Sequence, residues 1–160
     1  MVKRLELGEL ESWANSQRGA GARIVLANGA FDMLHVGHLR YLQAARSEGD
    51  IMLVAINSDS SVKKAKGPAR PIVPEDERQE LVEGLACVDF TVLFGDATVE
   101  GIIRAIKPNV HAKGTDYTAE SVPEGELVRS LGGRVAIVGD PKDHSTTGLV
   151  AKLKISEEEG

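Results

Sequence analysis

The sequence predicts a doubly wound α/β fold, with a five-stranded parallel sheet and helices on both faces. Three observations predict it. Short apolar runs alternate along the chain with longer amphipathic segments. The runs stay apolar at consecutive positions, as strands covered on both faces do. Polar or glycine-bearing stretches follow the runs, where a strand hands over to a helix.

Taken in order, RIVLAN over 23–28 reads as the first strand and 36–48 as the helix after it. IMLVAI over 51–56 is a second strand, apolar throughout. A helix is expected over 74–84, with Pro74 suited to a first turn, where its missing N–H costs nothing. Residues 90–94 form a third strand, and 98–106 a helix that stops before Pro108. Residues 110–112 read as a short strand and 124–131 as a helix ended by Gly132-Gly133. A last strand over 134–138 and a last helix over 146–154 follow. A further helix lies between Leu7 and Arg18. The chain is expected to be one domain over 1–160, with an N-terminal helix at about 5–18 and a core at about 23–155.

Composition narrows the function classes. A net charge of −5 argues against a general nucleic-acid surface, which needs a basic stripe, yet leaves room for a local cationic cleft. The single cysteine, Cys87, cannot form an internal disulfide; in Leu85-Ala86-Cys87-Val88 it reads as a small core hydrophobe. No apolar stretch follows Met1-Val2-Lys3-Arg4, and no run approaches the roughly 20 residues that span a bilayer. A cytoplasmic protein with no membrane partner is the expectation.

In a doubly wound sheet, ligands bind at the carboxyl ends of the strands, near the reversal of strand order. Residues 28–38, 57–70, 111–117 and 139–147 all follow strands, so they can meet in one cleft. The first stretch reads Asn28-Gly29-Ala30-Phe31-Asp32-Met33-Leu34-His35-Val36-Gly37-His38. Gly29 permits a tight turn, and His35 and His38, three apart at a helix start, share a face. Gly37 lets a ligand approach the backbone, and the helix start adds N–H donors and a positive dipole end. Together these form a cradle for a polyphosphate. The plainer alternative is two surface histidines and a loop aspartate. A metal site of Asp32, His35 and His38 is a third, weaker because the four-residue spacing of H-E-x-x-H is absent.

Three further stretches fit the same cleft. Lys63, Lys64, Lys66 and Arg70 follow Asn57-Ser58-Asp59, where a solvated surface run is the alternative. Lys113-Gly114 can bring a point charge close to a phosphate, or be a turn with an exposed lysine. Ser145, Thr146 and Thr147 precede the last helix, where capping and phosphate binding use the same helix end. No G-x-G-x-x-G follows the first strand and no G-x-x-x-x-G-K-[ST] occurs, which disfavours a dehydrogenase and a P-loop kinase.

The stretch F-D-x-x-H-x-G-H over 31–38 resembles the H-x-G-H signature of the cytidylyltransferase-like nucleotidyltransferase superfamily. The resemblance covers nearly all of the chain after the N-terminal helix. It implies that His35 and His38 contact a triphosphate and stabilise the transition state. It implies catalytic roles for Lys66 and Lys113 too. Asn28, Gly29, Ala30, Phe31, Gly37, Ser145, Thr146 and Thr147 would bind nucleotide and phosphate. Asp32, Asp59 and Arg70 would contact substrate, with Asp32 also near Mg²⁺, itself held mainly through phosphates. Arg78 matches a family arginine, and its helical position fits a structural ion pair equally well. Lys142 stands where some relatives have arginine.

N-S-D followed by K-G-x-x-R-P, then K-G-x-D-Y, then S-T-T look most like the adenylyltransferase domain acting on D-glycero-β-D-manno-heptose 1-phosphate. Relatives usually carry a second glycine where this chain has Thr115. The implied reaction takes ATP and the sugar phosphate to ADP-heptose and pyrophosphate, for lipopolysaccharide. A homodimer and a separate sugar kinase are implied as partners. Glycerol 3-phosphate with CTP is the alternative pair. Two rivals come from other classes: a non-catalytic nucleotide-binding module, and a metal hydrolase built on Asp32, His35 and His38.

Overall fold

A computed structural model describes residues 3–140 and 149–154 of the chain. The elements run β1 (Arg4–Leu5), α1 (Leu10–Gly19), β2 (Ile24–Gly29), α2 (Val36–Arg46), β3 (Ile51–Asn57), α3 (Asp59–Lys66), α4 (Glu75–Glu83), β4 (Phe90–Phe94), α5 (Glu100–Ile106), β5 (Val110–Lys113), α6 (Gly125–Ser130) and β6 (Arg134–Ile137). Residues 149–154 are also helical. The strands form one parallel sheet in the order β1-β4-β3-β2-β5-β6.

The apolar runs account for this arrangement. Along β2 and β3, successive side chains point to opposite faces, and both faces are covered. Leu26, Leu53 and Val92 face Leu10, Trp13, Ile103 and Ile106 of α1 and α5. Val25, Met52 and Val54 face Leu42 and Ala45 of α2 and Val82 of α4. Trp13 meets Phe90 edge-on at 5.3 Å between centroids. From β2 the chain winds outward through β3 and β4, then returns to β5 and β6 on the other side. The reversal lies between β2 and β5, which are neighbours, and opens a crevice at their carboxyl ends.

The sheet has six strands, not the five expected. The extra one, β1, is two residues long, too short to carry a periodic signal. It is defined only by pairing with Thr91 and Val92 of β4. The second difference is α3, expected as part of a loop. Ser58 caps it by accepting from the Ser61 N–H at 3.3 Å, and Lys63, Lys64 and Lys66 occupy its last turn. Cations there complement the negative end of the helix dipole. The helices α2, α4, α5 and α6 begin or end one or two residues inside the expected limits, whereas α1, expected between Leu7 and Arg18, runs Leu10–Gly19. Of the last helix, 146–148 lie outside the described residues. Gly133 is fixed by space: a Cβ there would lie 2.3 Å from the Pro108 carbonyl oxygen. Cys87 is half-buried against the core, and burial pushes its thiol pKa up. Among the described residues, no helix is long and apolar enough to cross a membrane.

Candidate functional site

The loop between β2 and α2 holds unusual backbone. Phe31 and Met33 both have positive φ, 53° and 48°. Side chains other than glycine rarely adopt that region, and they keep it only where surroundings over-determine it. Two buried ionic groups do so here. Arg78, on α4 and fully buried, donates to the carbonyls of Ala30, Asn57 (2.8 Å) and Val73 (2.9 Å), and pairs with Asp59 at 2.9 Å. One guanidinium thus ties together the loops that follow β2 and β3. Asp32 is 1% exposed; its two oxygens accept from the Ile72 and Val73 amides at 2.8 and 2.9 Å. Arg70 lies 3.8 Å from the same carboxylate.

This strained loop delivers two imidazoles to the start of α2. His35 is the N-cap residue, and its Nδ1 accepts from the Gly37 N–H at 3.1 Å. His38 reciprocates, its Nδ1 accepting from the His35 N–H at 3.2 Å. The rings stack with centroids 3.8 Å apart, and Phe31 packs edge-on against His38 at 5.4 Å. The consequence is chemical. With both Nδ1 atoms used as acceptors, each neutral ring carries its proton on Nε2. Two N–H donors are thereby fixed at the positive end of the helix dipole, which favours an anion.

His38 is held neutral. Burial, then the neighbouring His35 and Lys66, pull its pKa down to about 4, against a smaller opposite effect of Asp32. On β5, His111 is fully buried and pulled down to about 3, first by burial and then by Lys113. Both rings bind protons more weakly folded than unfolded. Their contribution to stability is therefore complete above about pH 6.5, the ordinary histidine value, and is lost as pH falls through their folded values. Each can add a slope of about 1.4 kcal/mol per pH unit in that window. Denaturant unfolding is expected to show a clear loss of stability from about pH 7 to about pH 5. Equal stability at the two values would contradict this account.

The other side of the crevice is built from β5. Lys113 closes the strand, and its Nζ lies 4.7 Å from the centroid of the Tyr117 ring. Burial pushes the Lys113 pKa down, while Glu124 and Asp116 pull it back up. The Tyr41 hydroxyl donates to the Ala112 carbonyl at 2.6 Å, which locks α2 to β5. Thr115 donates to the Asp140 carbonyl at 2.7 Å, and Asp140 pairs with Arg40 of α2 at 2.6 Å. Gly139 has φ 94°, and a Cβ there would lie 3.3 Å from the Tyr41 Cα.

The structure thus gathers much of the set expected from sequence. Asn28 and Gly29 end β2; Ala30, Phe31 and Asp32 form the strained loop; His35, Gly37 and His38 open α2. Lys66 ends α3, exposed, and its charge reaches His38. Asp59, expected to meet substrate, pairs with Arg78, and Asp32 is occupied by backbone amides. Among the described residues, no three His, Cys, Asp or Glu side chains converge to hold a metal ion. Ser145, Thr146 and Thr147, with Lys142, lie outside the described residues. His111 opens the 111–117 stretch expected in the cleft, but the sequence assigned it no role. Only its place in an otherwise apolar strand could have marked it.

A model of the cytidylyltransferase-like family matches residues 26–155. The chain belongs to the cytidylyltransferase-like family. The matched span begins inside β2 and takes in α2, Lys66 and Lys113, so the family's part of the chain contains the whole crevice. Two curated relatives of this cytidylyltransferase-like chain are named bifunctional protein HldE. That of Trichlorobacter lovleyi is 45% identical over 138 residues, covering 86% of this chain and 28% of the relative. That of Geotalea uraniireducens is 43% identical over 153 residues, covering 96% and 31%. The chain spans less than a third of the length of these relatives. A crystal structure of a lipopolysaccharide core biosynthesis protein from Thermoplasma volcanium superposes with a TM-score of 0.64 at 26% identity. It covers 76% of this cytidylyltransferase-like chain and 100% of its own.

Proposed function

We propose that this chain is a nucleotidyltransferase domain that transfers AMP from ATP to D-glycero-β-D-manno-heptose 1-phosphate, giving ADP-heptose and pyrophosphate. The carrying observation is the reciprocal His35–His38 cap, which engages both Nδ1 atoms and holds the stacked imidazoles at the start of α2. Family membership and the HldE relatives support the reaction type. The K-G-x-x-R-P and K-G-x-D-Y stretches, with the Thermoplasma structure's description, support a lipopolysaccharide sugar as acceptor.

In the proposed step, an oxygen of the sugar phosphate attacks the α-phosphorus of ATP in line. The bond from that phosphorus to the bridging oxygen breaks, and pyrophosphate leaves with the electron pair. No enzyme nucleophile is needed, because the attacking group is already an anion. The chain's work is positioning and electrostatic stabilisation. His35 and His38 donate to the phosphates, and Lys66 and Lys113 offset charge from opposite sides of the crevice. Ser145, Thr146 and Thr147, which lie outside the described residues, are assigned to phosphate binding by their sequence motif. Asp32, Asp59 and Arg70 act on substrate through the loops they hold. Mg²⁺ would be held mainly through the phosphates, with Asp32 the protein group near it, and would offset their negative charge. The working unit is a homodimer in the cytoplasm, and a sugar kinase supplies the acceptor.

Four nucleoside triphosphates tested against several phosphorylated acceptors, read by pyrophosphate release, decide the matter. ATP with heptose 1-phosphate is expected to give the highest kcat/KM. Preference for CTP with glycerol 3-phosphate would replace the acceptor and base but keep the chemistry. ATP binding without turnover on any acceptor would indicate a nucleotide-binding module instead.

A further inference from the structure

His111 is an oddity in its strand. Its neighbours Val110 and Ala112 are core residues, and its own ring is fully buried. Nε2 lies 2.9 Å from the Asn28 Oδ1, while the buried Nδ1 has no hydrogen-bond partner among the described residues. A buried polar atom left without a partner works against folding, and an apolar side chain of similar volume would avoid that cost. Stability therefore does not account for this ring; the bond to Asn28 is what it contributes.

The bond has a direction. Nε2 faces a carboxamide oxygen, so Nε2 carries the proton and donates. Burial keeps the ring neutral, so this is its single N–H. With Oδ1 drawn toward His111, the NH₂ group occupies the opposite branch of the Asn28 carboxamide. Asn28 is half-buried at the carboxyl end of β2. Val25 pairs with Val110 and Leu26 with His111; carried two residues on, the register sets Asn28 beside Lys113, on the face that His111 and Lys113 share.

Resting on the activity proposed above, we propose that His111 is a positioning residue: its Nε2–H holds Asn28 by Oδ1 and turns the Asn28 NH₂ to the sheet rim beside Lys113, where it holds a phosphate oxygen of the nucleotide. Asn28 makes the contact; His111 acts through it. The crevice then grips the nucleotide from both faces of the sheet, with the imidazoles from α2 on one and Asn28 with Lys113 on the other.

The test uses the full chain and two readouts: kcat/KM by pyrophosphate release, and the Kd of a non-hydrolysable ATP analogue by calorimetry. His111→Leu is expected to weaken analogue binding and kcat/KM about tenfold with no loss of thermal stability. His111→Gln, whose amide can donate from nearly the same place, should restore most of both. Asn28→Ala should lose as much as His111→Leu, and the double variant no more than either. Wild-type affinity in His111→Leu would overturn the proposal, as would losses that add in the double variant. Should His111→Leu not fold, Asn28→Ala and His111→Gln decide it: wild-type affinity in the first, or a full loss in the second, overturns it. Analogue binding without turnover in the wild type would remove the activity alone. A wild type that binds no analogue would remove both.

Discussion

His38→Ala is expected to lower kcat by about a hundred- to a thousandfold while the protein still folds. The ring is fixed by its Nδ1, which accepts from the His35 N–H at 3.2 Å, so its Nε2–H needs no reorganisation when charge develops on a phosphate. Donors held in place before the reaction are worth most in catalysis, because solvent would otherwise have to reorient. The substitution also removes half of a reciprocal cap, which costs about 1 kcal/mol of stability. A glutamine at 38 can present an amide N–H near the Nε2 position and should recover part of the rate. Pyrophosphate release measures the rate and a thermal melt the fold. Turnover close to wild type in His38→Ala would remove the imidazole pair from the mechanism.

Arg78→Leu is expected to produce the largest loss of stability of any single change near the site, about 3 kcal/mol. The guanidinium is fully buried and serves four acceptors, the carbonyls of Ala30, Asn57 and Val73 and the carboxylate of Asp59. Leucine fills space but leaves those acceptors without their donor. For a domain of this size, the midpoint should fall by about 10 °C. Arg78→Lys should not rescue it, since a single ammonium cannot copy the planar fork that reaches three directions. Activity should fall along with stability, because the loop that carries His35 is pinned through Ala30. Wild-type melting by Arg78→Lys would show that the fork geometry is not what holds these loops.

Arg78 also shows where sequence reading stops. Its place in a charged helical segment, Glu77-Arg78, fits a structural ion pair and a site contact alike, and the structure shows the pair, with Asp59 at 2.9 Å. Only the packing of α4 under the sheet reveals it as a buried tie between two loops. Asp32 behaves similarly. The motif around it suggests substrate or Mg²⁺, yet both its oxygens face the amides of Ile72 and Val73, forty residues away in the chain. The two-residue β1 and the short α3 were hidden for a local reason. One is too brief for any periodicity, and the other is a polar segment set by its Ser58 cap and a helix dipole rather than by an apolar stripe.

By itself, the sequence determined the layered α/β plan, because strands apolar on both faces must be covered on both faces. It also determined the imidazole pair, because a three-residue spacing at a helix start is a local matter. Tertiary structure alone decided the partners of Asp32, Asp59, Arg78 and His111, and with them which charged groups hold loops and which face the crevice. The reason is physical: periodicity and capping depend on neighbours in the chain, whereas a buried polar group is settled by whichever distant donor or acceptor the fold brings within about 3 Å.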